Sequence, residues 1–214
     1  MALDQLPVRL PRPVPTRTGR LREVVELSGQ PHSVRLLTYV EGLPLTTPGY
    51  LAPRTARALG EIAGRVSAGL ARFDHPGAHV AQQWDVRRSA EVVAALATSL
   101  PSDLADTVLR LSSAARVALA PVAADLPVQV IHGDITDFNV VADPGPDGRP
   151  VPAGVIDFGD LMHTWRAAEV AVTICASLVK DHRAPLRIAG DVLVGFLRTQ
   201  TLEAVEVEAL PVGA

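Results

Sequence analysis

Cysteine and lysine are almost absent from this chain of 214 residues, which contains one of each, Cys175 and Lys180. A single cysteine cannot form a disulfide within the chain, so a reducing, cytoplasmic location is the default expectation. Cys175 lies in the apolar stretch VAVTICASL. In such a stretch, we expect the thiol to pack in the core like a small hydrophobic side chain.

Long hydrophobic runs and an excess of positive charge are also lacking. No apolar stretch approaches the roughly 20 residues that a membrane-spanning helix needs, and the proline-rich start MALDQLPVRLPRPVPTRTGR does not have the form of a signal peptide. The formal net charge of −3 gives no basic excess for binding nucleic acid or an anionic membrane. The length and a hydrophobic fraction of 48% predict a soluble globular protein with a substantial core.

The pattern of apolar residues and turn formers predicts strands and helices that are segregated along the chain, which is typical of an α+β fold. Two strands, LREVVEL and SVRLLTYV, are predicted on either side of a turn at SGQPH, and the connector EGLPLTTPGY follows them. The β-branched runs VQVI, NVVAD and AGVID predict three more short strands. Apolar periodicity predicts helices over residues 52–73, 86–99, 166–180 and 185–208, and one that begins near Asp103 with Ser102 as its N-cap.

Polar residues stand at the ends of the last three predicted strands. VQVI leads to His132 and Asp134, Asn139 opens NVVAD, and AGVID ends at Asp157. An acid at the mouth of a buried strand is costly unless it is neutralised, and a divalent cation would neutralise it. Asn139 and Asp157 offer hard oxygen ligands that suit Mg²⁺. Asp134 would then be available to accept a proton from a substrate hydroxyl or to orient that hydroxyl.

The order of these residues matches the signature of a kinase catalytic loop. In that signature an aspartate two residues after a histidine is followed five positions later by an asparagine, and Asp-Phe-Gly comes after a hairpin. Here HGDITDFN, residues 132–139 (the catalytic loop below), precedes IDFGD. The set resembles the aminoglycoside phosphotransferase and choline kinase-like superfamily, whose members phosphorylate small molecules.

Other stretches extend the resemblance over most of the chain. VRLLTYVEGLPL resembles the last strand of the N-lobe and the hinge that holds adenine. FDHPGAHVAQQWDVR and GVIDFGDLMHTWRAAEVAVTI resemble the hydroxylysine kinase branch and the phosphotransferase domain that is fused to some class III aminotransferases.

The resemblance implies a protein kinase-like C-lobe of the aminoglycoside phosphotransferase type, with only the last strands of the N-lobe. Residues 1–40 would be the N-lobe remnant with two strands and the hinge, and residues 41–214 the helical C-lobe with the catalytic loop and a metal-binding hairpin. The implied cofactors are ATP and Mg²⁺. The implied reaction transfers the γ-phosphoryl group to a hydroxyl of a small molecule that also carries an amine, such as hydroxylysine, an aminoglycoside or choline.

Roles for individual residues follow from the same resemblance. Asp134 would be the catalytic base, and His132 would brace the loop. The Mg²⁺ ligands would be Asn139 and Asp157. The nucleotide-binding hinge would be formed by Thr38, Tyr39 and Val40.

The chain also departs from the family. A working kinase has a Gly-rich phosphate loop, a lysine on the third strand and a partner glutamate, all upstream of the hinge. Only about 37 residues precede the hinge here, with no Gly-rich loop and no lysine, and Lys180 comes after Asp-Phe-Gly. The chain therefore resembles a family member that is truncated at its amino-terminal side: a wrongly assigned start, a fragment, a decayed gene or one part of a split protein. The alternative function is a non-catalytic, C-lobe-like binding module.

Some residues keep two interpretations. Asp160 could face solvent or contact a cationic substrate, and Trp84 could pack in the interior or face an ammonium group. Glu169 falls where related proteins keep an acid, without a firm role. Asp85 is not assigned, and His163 is expected at the surface.

Overall fold

The computed structural model describes residues 6–45 and 50–210. Within them, helices and small antiparallel sheets are present, so the α+β class is confirmed. The strands are β1 (Pro13–Val14), β2 (Glu23–Leu27), β3 (Gln30–Val34), β4 (Leu36–Leu37), β5 (Leu43–Pro44), β6 (Val128–Ile131), β7 (Val140–Pro144), β8 (Pro150–Val155) and β9 (Met162–Trp165). The α-helices are α1 (Pro53–Leu70), α2 (Ser89–Leu96), α3 (Ser102–Leu119), α4 (Ala168–Lys180), α5 (Pro185–Phe196) and α6 (Ala204–Ala209).

The first four strands form two antiparallel pairs, β2 with β3 and β1 with β4. Ser28 and Gly29 connect β2 to β3 with φ of 53° and 76°, and two residues of positive φ close a tight hairpin. The predicted turn SGQPH is therefore too long, because Gln30 already belongs to β3. The predicted strand SVRLLTYV is divided between β3 and β4, and β1 was not predicted. Residues 1–5 of the predicted irregular start lie outside the described residues.

Helix α1 lies at the centre of the core. Its buried positions recur at the predicted steps of three and four, and it packs against α5, α4 and β8. Glycine permits the close approach of α5, since a Cβ on Gly195 would lie 1.9 Å from the main-chain oxygen of Arg57 in α1. The core includes the side chains of Ala56, Leu59, Ile62, Val66, Leu70, Val140, Val155, Val170, Ile174, Ile188, Val192 and Phe196.

Helices α2 and α3 pack mainly on each other. The helix predicted over residues 86–99 is confirmed as α2 with a 3₁₀ turn on either side. Helix α3 begins at Ser102 and Pro101 takes the cap position, so the predicted N-cap is wrong by one residue. Leu104 and Leu111 of the apolar α3 face remain exposed, so apolar periodicity identified this helix although its apolar face is not in the core.

The expectation that Cys175 packs in the core is wrong. Cys175 is exposed, because the buried face of α4 contains Val170, Thr173, Ile174 and Ser177 and position 175 points away from it at 3.6 residues per turn. Among the helices of the described ranges, none has both the length and the apolar character that a membrane crossing requires.

Two sheets bring the predicted polar residues to one end of the fold. Strand β7 lies between β5 and β8, and β6 pairs with β9. Strand β9 was not predicted, because MHTW has only one β-branched residue, whereas the equally short VQVI of β6 has three. Strand β5 lies within the predicted connector, of which residues 46–49 are outside the described part of the chain. The catalytic loop joins β6 to β7, and Asp157 follows the end of β8.

Candidate active site

His132 is buried at the start of the catalytic loop and holds three parts of the site together. Its Nε2 is 3.0 Å from the main-chain oxygen of Ile156, and its Nδ1 accepts the main-chain N–H of Asp134 at 3.3 Å. A neutral ring with its proton on Nε2 satisfies both contacts, and burial lowers the pKa of His132, which favours that neutral form. The ring also packs edge-on against Phe158, with 4.7 Å between the ring centroids. These contacts support the predicted bracing role.

Asp134 and Asn139 are joined directly. The amide nitrogen Nδ2 of Asn139 donates to Oδ2 of Asp134 at 2.6 Å and to its main-chain oxygen at 3.1 Å. Asp134 keeps contact with solvent, but the atoms packed around its carboxylate raise its pKa, while His132 and Asn139 act in the opposite direction. The charge of Asp157 also contributes to this rise, which indicates that the two carboxylates are close. A carboxylate with a raised pKa is better suited to accept a proton.

Asp157 lies beside Asn139 because the two main chains are bonded: the N–H of Ile156 donates to the main-chain oxygen of Asn139 at 2.9 Å. Asp157 has φ of 62° and ψ of 67°, a left-handed conformation that is uncommon for a non-glycine residue and that recurs at functional sites. Its Oδ1 accepts the N–H of Gly159 at 3.3 Å. The residue is exposed. The expectation that Asp157 is buried at a strand end and pays a desolvation cost is therefore wrong.

The donor set suits a hard cation. Asn139 directs its amide nitrogen at Asp134, which leaves its oxygen Oδ1 for a metal, and Asp157 supplies an exposed carboxylate. Two protein oxygens are the kind of partial set with which Mg²⁺ is held together with phosphate oxygens and water. Among the described residues there is no cluster of three or more His, Cys, Asp or Glu side chains that could hold a metal ion. The two protein oxygens of Asn139 and Asp157 are the kind of set that suits a cation bound jointly with a phosphorylated substrate.

Glu169 obtains a role that the sequence did not assign. This fully buried side chain of α4 accepts the main-chain N–H of His132 at 2.7 Å and that of Gly133 at 3.1 Å. Burial raises the pKa of Glu169 to about 7, while the two N–H donors act in the opposite direction. The sequence did contain a sign of this role: Glu169 is an acid inside the apolar helix segment AEVAVTI, and an acid on a buried helix face requires a partner.

Lys180 also contacts the catalytic loop. Its Nζ lies 3.2 Å from Oδ2 of Asp137, and both side chains are largely buried. Lys180 follows Asp-Phe-Gly and so cannot be the N-lobe lysine, and the sequence pattern gave no sign of this contact. The only lysine of the chain thus ties the end of α4 to the loop between Asp134 and Asn139.

The predicted hinge runs from the β1–β4 pair to β5. The N–H of Thr38 donates to the main-chain oxygen of Arg12 at 2.9 Å, and Oγ1 of Thr38 accepts the N–H of Arg12. Tyr39 is exposed, whereas Val40 is buried beside Gly154. Within the described residues, no hydrogen bond engages the main chain of Tyr39 or Val40, so these two residues retain the groups with which a hinge would hold a base.

The structure shows the exposure and contacts of the polar and aromatic residues that the sequence left with open or minor roles. Trp84 is 62% exposed and does not pack in the interior. Asp85 is buried and paired with Arg87 and Thr164. Asp160 is exposed near the site, and His163 is only partly exposed because its ring stacks on another histidine.

Comparisons with known proteins agree with this arrangement. The chain matches the family model described as "Phosphotransferase enzyme family" (APH) over residues 2–203. Hydroxylysine kinase of Mus musculus is 24% identical over 188 residues, which cover 83% of this chain and 49% of the mouse protein. The chain therefore spans about half the length of this curated relative.

Solved structures show the fold. A microcompartment-associated aminopropanol kinase matches with a TM-score of 0.63 and 19% identity, over 95% of this chain and 63% of that chain. Amicoumacin kinase, solved with AMP-PNP, Ca²⁺ and Ami, matches with a TM-score of 0.66 and 17% identity, over 98% of this chain and 63% of its own. The predicted fold of the aminoglycoside phosphotransferase type is thereby confirmed, and since the family model covers nearly the whole sequence, the chain belongs to the APH phosphotransferase enzyme family.

Proposed function

We propose that this chain carries the catalytic loop and the metal site of a small-molecule kinase, which transfers the γ-phosphoryl group of ATP to a hydroxyl group. One observation carries the proposal: the Asn139 amide donates to the Asp134 carboxylate at 2.6 Å, beside Asp157. A general base and two metal ligands then face one region. Phosphoryl transfer depends mainly on such positioning and on charge neutralisation.

Each residue has a defined task in this proposal. Asp134 accepts the proton of the acceptor hydroxyl. The oxygen of that hydroxyl attacks the γ-phosphorus, and the bond between the γ-phosphorus and the β–γ bridging oxygen breaks. Asn139 and Asp157 would hold Mg²⁺, which would supply charge neutralisation at the phosphate oxygens. His132 and Glu169 keep the loop in place, and the groups of the hinge (Thr38, Tyr39 and Val40) hold the adenine. The division into an N-lobe remnant, residues 1–40, and a C-lobe, residues 41–214, stays a prediction.

The acceptor that we propose is a small amino alcohol. Three names support this choice, since the relatives and solved neighbours include a hydroxylysine kinase, an aminopropanol kinase and an amicoumacin kinase. Two of these named acceptors, hydroxylysine and aminopropanol, carry a hydroxyl and an amine. A hydroxylysine-like compound is the leading candidate, ahead of aminoglycosides and choline, and a cytoplasmic location is part of the proposal. We propose no nucleic-acid or membrane partner.

The test is ADP formation from ATP and Mg²⁺ with a panel of amino alcohols and aminoglycosides. It should use the chain alone and the chain joined to any in-frame sequence encoded upstream of Met1. The proposal expects turnover with at least one amino alcohol, and loss of both turnover and Mg²⁺-dependent nucleotide binding in Asp157→Ala. Asp147→Ala, in the β7–β8 turn, is the matched control. An active Asp157→Ala would remove the metal role, and acceptor binding without turnover in every form would favour the non-catalytic module.

A further inference from the structure

A cavity with both polar and apolar walls includes Met162, which also contacts the catalytic loop. It has a volume of about 230 Å³, and its walls include His79, Asp85, Arg87, Met162 and His163. Met162 separates it from the loop: it pairs with Ile131 across the β6–β9 sheet, and its Cε lies 2.8 Å from the position that a Cβ on Gly133 would occupy. Asp134 is the next residue along the chain, about 3.8 Å from Gly133 between Cα atoms. The side chain of Met162 would therefore separate a small molecule in this cavity from Gly133, the residue before the proposed base.

The acid in the cavity wall is already neutralised. Oδ1 of Asp85 accepts the hydroxyl of Thr164 at 2.6 Å and the main-chain N–H of Arg87 at 3.0 Å. Its Oδ2 accepts Nη2 of Arg87 at 2.7 Å and Nε at 3.0 Å. Burial opposes ionisation, but the hydrogen bonds from Arg87 and Thr164 hold the pKa of Asp85 below its usual value. Asp85 is thus a paired anion with its lone pairs in use, and it is not available to bind an amine.

Donor groups remain on Arg87 and His163. Arg87 uses Nε and Nη2 for Asp85 and for the main-chain oxygen of His163, and within the described residues its Nη1 makes no hydrogen bond. His79 uses Nε2 for Asp74 at 2.6 Å, and its ring stacks on His163 with 4.5 Å between centroids. No hydrogen bond to the described residues engages the ring nitrogens of His163. The cavity therefore offers a guanidinium edge of Arg87 and a ring N–H of His163 to an anionic group.

We infer that this cavity binds the carboxylate of an amino-acid acceptor, through Arg87 and His163. The inference rests on the proposed function and narrows its substrate class from amino alcohols in general to hydroxy amino acids. A guanidinium fixed by a buried acid is a preorganised partner for a carboxylate. The adjacent loop would then receive a hydroxyl that a short aliphatic chain separates from that carboxylate. Aminoglycosides and choline have no carboxylate and would not use the cavity.

The test compares two ligands that differ only in the carboxylate, 5-hydroxylysine and 1,5-diaminopentan-2-ol, by isothermal titration calorimetry on the full chain. Because a hydrogen bond to a charged group contributes about 1.5–3 kcal/mol, we expect hydroxylysine to bind about tenfold to a hundredfold more tightly. Equal affinities, or no binding of either ligand, would overturn the inference.

Two variants test whether the preference for hydroxylysine over the diamine depends on the cavity. Arg87→Met and His163→Phe should lower the affinity for hydroxylysine to that of the diamine and leave the diamine unchanged. Phe at position 163 retains a ring to stack on His79 and keeps the main-chain oxygen that Arg87 uses, so this variant decides alone if Arg87→Met does not fold. Arg110→Met, on the exposed face of α3, should behave as wild type. Selectivity that survives in His163→Phe contradicts the inference.

A parallel ADP-formation assay separates this inference from the proposed function. Phosphorylation of both ligands without a preference in binding overturns the carboxylate site and leaves the kinase proposal intact. Selective binding of hydroxylysine without phosphorylation, with or without upstream sequence, supports the carboxylate site and contradicts the kinase proposal.

Discussion

The carboxylate of Glu169 accepts the main-chain N–H of His132 at 2.7 Å, although the two residues are 37 positions apart. A second bond, from the N–H of Gly133 at 3.1 Å, uses the other carboxylate oxygen. One buried side chain of α4 therefore satisfies two successive amides where β6 ends and the catalytic loop begins. We conclude that Glu169 positions the loop and does not itself touch the reacting groups.

Replacement of Glu169 by leucine should be strongly destabilising. Both amides would lose their acceptor in a buried site, and each unsatisfied buried donor costs about 1–3 kcal/mol. We expect the free energy of unfolding to fall by about 2–5 kcal/mol in urea titrations. Glu169→Gln is the matched variant: its single amide oxygen can accept one N–H, so its loss should be intermediate. Equal stability of wild type and Glu169→Leu would show that the two bonds contribute little.

The same residue predicts a pH dependence of stability. Because the pKa of Glu169 is raised from 4.5 to about 7 in the folded chain, the folded state binds this proton more tightly than the unfolded state. Its contribution to stability is therefore fully present below about pH 4.5 and is lost as the pH rises through about 7. The stability difference between wild type and Glu169→Gln should decrease by up to about 3 kcal/mol between pH 5 and pH 8. Parallel pH profiles of the two proteins would contradict the raised pKa.

Asp134→Asn should separate binding from chemistry. The variant keeps the size of the side chain and one acceptor oxygen for the Asn139 amide, but it cannot accept the hydroxyl proton. In an active form of the protein we expect nucleotide affinity within about twofold of wild type and a turnover number lowered by about two to four orders of magnitude. Asp103→Asn, in the exposed first turn of α3, is the control. Normal turnover in Asp134→Asn would remove this residue from the mechanism.

Two glycines of α5 test the contact between α5 and α1. A Cβ on Gly195 would lie 1.9 Å from the main-chain oxygen of Arg57, whereas a Cβ on Gly190 would meet nothing within 4 Å. Gly195→Ala must push the helices apart and should lower the free energy of unfolding by about 1–3 kcal/mol or more. Gly190→Ala should raise it by up to about 1 kcal/mol, because alanine is the better helix former. Changes of the same sign in thermal unfolding would contradict this packing.

The fold class and most elements were predictable because their signals are local. The apolar spacing in α1, the β-branched runs of β6 to β8 and the turn formers between them are all read over a few residues. Strands β1 and β5 were missed because two residues are too few to show a period, and β9 was missed because MHTW has one β-branched residue where VQVI of β6 has three. The exposed positions of Cys175 and of Leu111 in α3 were missed for another reason. An apolar pattern shows which face of a helix is hydrophobic, but it does not show whether another element packs against that face.

The sequence alone determined that Asp134 and Asn139 share one short loop, because they are five positions apart, and in the structure their side chains are hydrogen-bonded. Only the tertiary structure decided what supports and surrounds that loop: Glu169 beneath its amides, Lys180 against Asp137, and Thr164 bonded to Asp85. The physical reason is separation along the chain. Partners 36 to 79 positions apart meet only after helices and sheets have packed, and the desolvation that then raises the pKa of Glu169 is a property of the packed core.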